Sequence, residues 1–310
     1  VNNSEKRLYP LFDTHAHADA FVPEEWTRVC EAALRRGVQG HLNAGVWWDQ
    51  LKKVLADFSA WTVPMSVNAE AFDDLVTNST RYIVLPCLGL HPMEVALRWR
   101  DESGKFDLSR ARSDVENLKG EATRLRQWIW AVGETGFDCA KEVVAGWSAK
   151  EELLLAQQFA FDASIEVALE LKRPVVVHSR SAWQRTLHGL ECALARGLHG
   201  FMIHCYGGPS ADLDWVSRQG GFASFGGVPT WPAAKKVKQS LLVCPDEVLL
   251  LETDSPDLPP QLKTGERPAM NEPGFLTDIL EFASHARGQT HDQLIALNYL
   301  NLRRFLFGND

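Results

Sequence analysis

Pro174-Val175-Val176-Val177-His178 and Phe201-Met202-Ile203-His204 are two short apolar runs, each closed by a histidine. Residues 181–196 between them read as a helix that stops at Gly197. Runs of four or five residues are too short for buried helices, and strands joined through a helix-length segment lie parallel in one sheet. The same alternation extends outward in both directions. Comparable runs occur at 11–13, 38–43, 82–88, 128–133, 222–225 and 248–252. Helix-like stretches occur at 23–36, 149–171, 212–218 and 292–306.

Eight such runs are the number that a closed parallel barrel needs, so the fold class expected is α/β, a (β/α)8 TIM barrel. Its rival, a doubly wound open sheet, gives no reason for the residues that end the runs. The connections at 61–81 and 98–126 are too long for simple loops and predict extra helical insertions. No repeat, low-complexity tract or Gly/Ser linker divides the chain, so residues 1–310 are expected to form a single domain.

Composition narrows the function classes. Hydrophobic residues make up 45% of the 310 and charged residues 23%, as in an ordinary soluble domain. A net charge of −8 argues against a protein that coats long stretches of duplex DNA, but not against an enzyme that grips a few phosphates through bound cations. No window approaches eighteen consecutive apolar residues, so no membrane span is expected. Residues 1–10 contain no apolar stretch of signal-peptide type, and none of the six cysteines forms a CxxC pair. Free thiols and a cytoplasmic location are expected.

The chemistry is written at the strand ends. His15 and His17 form a His-x-His pair, which puts both imidazoles on one face of an extended segment. Ten histidines in 310 residues would produce such a pair by chance about 0.3 times, so the motif alone is weak. It gains force from Glu134 after Trp130-Ala131-Val132-Gly133, from His178 and His204, and from Asp254 after Leu249-Leu250-Leu251-Glu252-Thr253. In a barrel these ends converge on one mouth, and a polar group there must find a partner or lie in a site. Structural zinc normally takes four ligands, often cysteines. Four histidines and two carboxylates without cysteine predict two divalent metal ions, with Glu134 as the bridge between them. Paired ions of this kind polarise a phosphoryl or carbonyl oxygen and lower the pKa of water. Asp254 can ligate and also take a proton from that water, which makes Asp254 and Glu134 the catalytic candidates. The ion is magnesium, manganese or zinc, and the sequence does not choose among them.

These residues, in order, resemble the TatD family of metal-dependent deoxyribonucleases within the amidohydrolase superfamily. The resemblance covers residues 12–307. It is carried by Asp13-Thr14-His15-Ala16-His17-Ala18-Asp19, Gly89-Leu90-His91-Pro92, Gly133-Glu134-Thr135-Gly136-Phe137-Asp138, His178-Ser179-Arg180, His204-Cys205-Tyr206-Gly207-Gly208, Glu252-Thr253-Asp254-Ser255-Pro256 and Asn271-Glu272-Pro273. It implies a TIM barrel, a binuclear metal site on the six residues above, and phosphodiester hydrolysis on DNA, with His91 and Arg180 near the substrate phosphate.

The leading expectation is a deoxyribonuclease acting on single-stranded DNA or strand ends, with no obligate protein partner. His91, Arg180 or Lys141 would orient the phosphate. Departures from the family pattern fall on the substrate rim: Cys139-Ala140-Lys141 follows Phe137-Asp138, Tyr206-Gly207-Gly208 follows His204-Cys205, and Arg267 is displaced from Asn271 by Pro268-Ala269-Met270. They keep open an alternative substrate, a small amide, lactone or ester. A non-enzymatic subunit that kept the fold would be expected to have lost ligands, and all six are present.

Overall fold

Val175–Arg180 (β5) is flanked by parallel strands on both sides, as expected of a run of valines between two helices. In the computed structural model, which describes residues 9–65 and 68–308, eight parallel strands follow one another in chain order. The other seven are Leu11–Ala16 (β1), Val38–Asn43 (β2), Ile83–Leu88 (β3), Ala131–Asp138 (β4), Phe201–Ile203 (β6), Phe222–Phe225 (β7) and Leu249–Leu251 (β8). The barrel closes just past β1 and β8. There the His17 N–H donates to the Ser255 carbonyl at 2.8 Å and the Asp254 N–H to the His15 carbonyl at 2.9 Å.

Three strands run further than hydropathy suggests. β1 continues to Ala16, β4 to Asp138 and β5 to Arg180. Their polar ends stay extended because the backbones pair: Thr135 with Val177, Gly136 with His178, and Asp138 with Arg180. Backbone pairing takes no account of side-chain polarity. His15, Glu134 and His178 therefore lie within strands rather than after them.

The barrel is sealed at the end where its strands begin. Phe72, Trp130, Phe222, Phe305 and Phe307 meet there, with Phe72–Trp130 centroids 5.3 Å apart and Phe222–Phe305 5.9 Å apart. Phe305 and Phe307 come from the helix His291–Phe307, which starts with a capping box of Thr290 and Gln293. Burying a large apolar side chain stabilises the fold by roughly 1.5–3 kcal/mol. A plugged bottom leaves chemistry to the opposite mouth.

Of the two long connections, 98–126 holds the helix Leu108–Arg124, a regular member of the outer ring between β3 and β4. It packs on the helix Lys150–Leu171, with Lys119 3.0 Å from Glu166. The addition there is the short helix Pro92–Arg98 ahead of it. The connection at 61–81 holds an extra helix, Ala69–Asn78, capped by Asn68, which delivers Phe72 to the sealed end. All six cysteines are free. Among the described residues no helix is long and apolar enough to cross a membrane.

Candidate metal centre

The His-x-His pair is held from both sides. Asp13 Oδ1 accepts the His15 N–H at 3.2 Å, and Asn43 Oδ1 accepts the Ala18 N–H at 2.6 Å. The β1–β2 register shifts between Asp13 and Ala16, and the two Nε2 atoms finish 3.3 Å apart. Glu134 is fixed through its backbone, whose N–H donates to the Gly45 carbonyl at 2.7 Å. Gly89 lies so close behind it that a Cβ there would sit 2.4 Å from the Glu134 nitrogen.

The six residues singled out from the sequence meet at the mouth, and Glu134 is their hub. Its Oε1 lies 2.7 Å from His204 Nε2, 2.8 Å from His178 Nδ1 and 3.1 Å from His91 Nε2. Its Oε2 lies 3.3 Å from His15 Nε2 and 3.6 Å from His17 Nε2. Asp254 Oδ1 completes that second side, 3.3 Å from His15 Nε2 and 3.5 Å from His17 Nε2. The His15 and His204 rings stack at 4.1 Å.

So dense a group polarises itself. Burial alone would raise the Glu134 carboxyl, but the imidazoles of His204, His91 and His15 outweigh it and hold it well below the ordinary carboxylate range. Burial would likewise raise Asp254, and His15 and His17 bring it down. Burial disfavours charge on His178, yet Asp138 and Glu134 push it up to about 9. These directions follow from packing carboxylates among imidazoles in a buried cluster.

The donor set fits divalent metal. Imidazole nitrogens face each other across 3.3 Å (His15–His17) and 3.1 Å (His178–His204), contacts in which one proton at most is shared. Glu134 Oε2 is buried without a hydrogen-bond partner. Groups whose nitrogen, oxygen and sulfur atoms lie close enough to share an ion include His15–His17–Glu134 and His204–Cys205–Asp254. A mixed nitrogen and oxygen set suits zinc or manganese.

Protonation separates His91 from the other histidines. Its Nδ1 accepts the Met93 N–H at 3.1 Å, which leaves the neutral ring's proton on Nε2, facing Glu134. A ligand nitrogen needs a lone pair, so His91 presents a donor instead. His178 is the opposite case. Its Nε2 is 3.2 Å from Asp138 Oδ2, so Nε2 keeps its proton there and Nδ1 is the nitrogen that would give up its proton to a cation in the cluster.

The remaining rim residues stand further out. Arg180 is about half exposed and is tied to Glu142 and, at 3.5 Å, to Asp138 Oδ2. Lys141 opens the short helix Lys141–Val144, is exposed, and makes no ion pair among the described residues. Arg267 lies over the Trp231 ring at 4.8 Å.

Two functional neighbours escaped the sequence reading. Asp138 orients His178, and Glu252 Oε1 accepts the Cys205 N–H at 2.5 Å, pinning the turn after His204. Both stand inside quoted motifs, but what they do depends on which nitrogen or amide they meet. Asn271 Nδ2 donates to the Thr253 carbonyl at 2.7 Å and the Asp257 carbonyl at 2.8 Å, fixing the turn that carries Asp254.

The chain is similar to known proteins. A sequence model of the family described as TatD related DNase matches residues 12–307. The 3'-5' ssDNA/RNA exonuclease TatD of Citrobacter rodentium is 30% identical over 226 residues, covering 71% of this chain and 75% of that protein. An uncharacterized metal-dependent hydrolase of Bacillus subtilis, YabD, is 24% identical over 95% of this chain and 98% of its own. The crystal structure of YJJV, a TatD homologue from Escherichia coli K12, superposes with a TM-score of 0.72 at 23% identity, covering 97% of this chain and 98% of that one. The chain is a hydrolytic enzyme and belongs to the TatD related DNase family.

Proposed function

We propose that the chain is a deoxyribonuclease that hydrolyses phosphodiester bonds in single-stranded DNA or at strand ends. In this reading two divalent ions are held by His15, His17, Glu134, His178, His204 and Asp254. The observation that carries it is the division of Glu134: Oε1 faces His178 and His204, while Oε2 faces His15, His17 and, beyond them, Asp254. A carboxylate so divided is suited to bridge. Zinc or manganese fits the histidine-rich set better than magnesium, which prefers oxygen.

Bound ions supply Lewis acidity towards the phosphoryl oxygen and make nearby water more acidic. The protein does the rest. Asp254, held ionised beside His15 and His17, accepts the proton of the attacking water. With Glu134 engaged by cations, the His91 Nε2–H that now faces its Oε1 would be available to a non-bridging oxygen, where a fixed donor favours the charge that builds in the transition state. Asp138 keeps His178 in the tautomer that ligation needs. Arg180 and Lys141 supply rim charge that draws the strand in. The relative from Citrobacter is described as an exonuclease on single-stranded DNA and RNA, which supports a strand-end substrate. A single domain with no obligate protein partner, working in the cytoplasm, completes the proposal.

The test is hydrolysis of end-labelled single-stranded and duplex DNA by protein loaded with manganese, zinc or magnesium, beside a panel of lactones, amides and carboxylic esters. Metal-dependent release of nucleotides, faster from single strands, is expected. Turnover of the small carbonyl substrates with none of DNA would overturn the proposal.

A further inference from the structure

Just outside the cluster, on the side of β4 to β6, lies a cavity of about 510 Å³. Its walls include Cys139, Lys150, Ser179, Trp183, Arg185 and Gly207. Cys139, residues 181–185 and Gly207 belong to the loops and helix start that follow β4, β5 and β6, so the cavity lies at the mouth end of the barrel, outside the cluster. Ser179 turns outward to it, with its Oγ 2.8 Å from Thr186 Oγ1. Lys150 and Arg185 are the cations in this wall, and neither has an ion-pair partner among the described residues. Arg185 lies over the Phe137 ring at 5.8 Å with its Nε buried and unpartnered. Both cations line the same cavity as Cys139.

Two long helices also begin here, Lys150–Leu171 and Trp183–Ala195, with Ala149 and Ala182 in front of them. Neither alanine can cap, so the positive ends of both helices are turned to the cavity without a side-chain acceptor. Trp183 is fixed by the bond from its Nε1 to Asp212 Oδ2 at 2.6 Å. The opposite side of the mouth has the reverse character. A cavity of about 270 Å³ there is lined by His17, Asp19, Gln50, His91 and Asp257, and its charged side chains are carboxylates. A polyanion reacting at the cluster is repelled on that side and attracted on the other.

We propose that the Lys150–Arg185 cavity is a subsite for a second phosphate, the one next to the reacting phosphate in the same nucleic-acid strand. The strand thus leaves the cluster across β4–β6 and not across Asp19 and Asp257. This rests on the site being a phosphodiesterase and adds what that reading lacks: a second anchor, and a fixed direction for the strand. Two charge-assisted contacts to one phosphate also let the enzyme favour a polynucleotide over an isolated diester.

The experiment compares two substrates, an oligonucleotide and a small chromogenic diester with no neighbouring phosphate. In Lys150→Gln/Arg185→Gln the ratio of kcat/KM for oligonucleotide to that for the small diester is expected to fall about tenfold or more, mainly through KM. Lys150 is exposed, so Lys150→Gln alone, which leaves the fold intact, should show part of the fall. An oligonucleotide with a neutral methylphosphonate at the linkage next to the cleaved one should reproduce the loss in the wild type and add little in the double variant. An unchanged ratio, or losses that multiply, overturns the subsite. If the wild type cleaves neither substrate, the proposed function fails, and binding of a labelled oligonucleotide by anisotropy still decides the subsite. Weaker binding by the variants than by the wild type upholds it, and equal binding overturns it.

Discussion

The backbone N–H of Asp254 donates to the carbonyl of His15 at 2.9 Å, so one hydrogen bond both closes the barrel and joins the last metal-ligand candidate to the first. Closure and site assembly are therefore one structural event. The six candidates come from five strands, and a cation that draws them together also ties those strands.

Metal binding should accordingly stabilise the fold. An ion present at a hundred times its Kd adds about 2.7 kcal/mol, since it binds only the assembled cluster. Chelation is expected to lower Tm by several degrees, and zinc or manganese to restore it. Calorimetry of protein stripped and reloaded checks this. An identical Tm in both forms would separate the cluster from barrel closure.

Glu134→Gln and His91→Gln should fail differently. Glu134 faces both halves of the cluster, so removing its charge should lower the bound metal as well as activity. His91 presents a proton and not a lone pair, so His91→Gln should keep its metal while kcat falls on the order of 10²-fold. Metal content by elemental analysis, measured beside kcat, distinguishes the two. Loss of metal in His91→Gln would make His91 a ligand.

How far such roles were legible depended on what sets them. Val175 to Val177 and Phe201 to Ile203 announce strands by apolarity, so the histidines after them were readable as site residues. The extension of β4 through Thr135 and Asp138 was not, because it rests on backbone pairing with Val177 and Arg180. The helices Gln50–Asp57, Lys235–Val243 and Leu276–Arg287 were also missed. The first two are short, and Pro245 and Gly288, which stop the second and third, have no side-chain N-cap before the helix to pair with. Arg180 was expected to face phosphate, and its position is at the rim, but its ties to Glu142 and Asp138 depend on side-chain conformations that spacing does not encode.

Gly89→Ala tests whether backbone packing positions the hub. The added Cβ would meet Glu134 N, Gly133 C and Gly45 O, each at 2.4 Å, and none of these is the end of a flexible side chain. Overpacking of this kind costs about 1–3 kcal/mol. Urea unfolding should show that loss, and bound metal should fall with it because Glu134 is displaced. A variant with wild-type stability and metal content would show that β3 and β4 can separate freely.

His41, buried behind the His15–His17 pair, sets a pH dependence of its own. Its ring lies between Trp26 at 5.5 Å and Tyr82 at 5.7 Å, with Nε2 3.2 Å from Asn43 Oδ1. Burial, more than any other cause, pushes its pKa down to about 3 from 6.5. Between those values the unfolded chain takes up a proton that the folded chain refuses. Stability therefore falls as pH drops from 6.5 towards 3, by up to about 1.4 kcal/mol per pH unit, and this contribution is flat above 6.5. In His41→Gln that term is absent. The stability difference between wild type and variant, from urea unfolding at pH 7, 6, 5 and 4, should shift steadily in favour of the variant as the pH falls. Parallel curves would mean that His41 is protonated inside the fold.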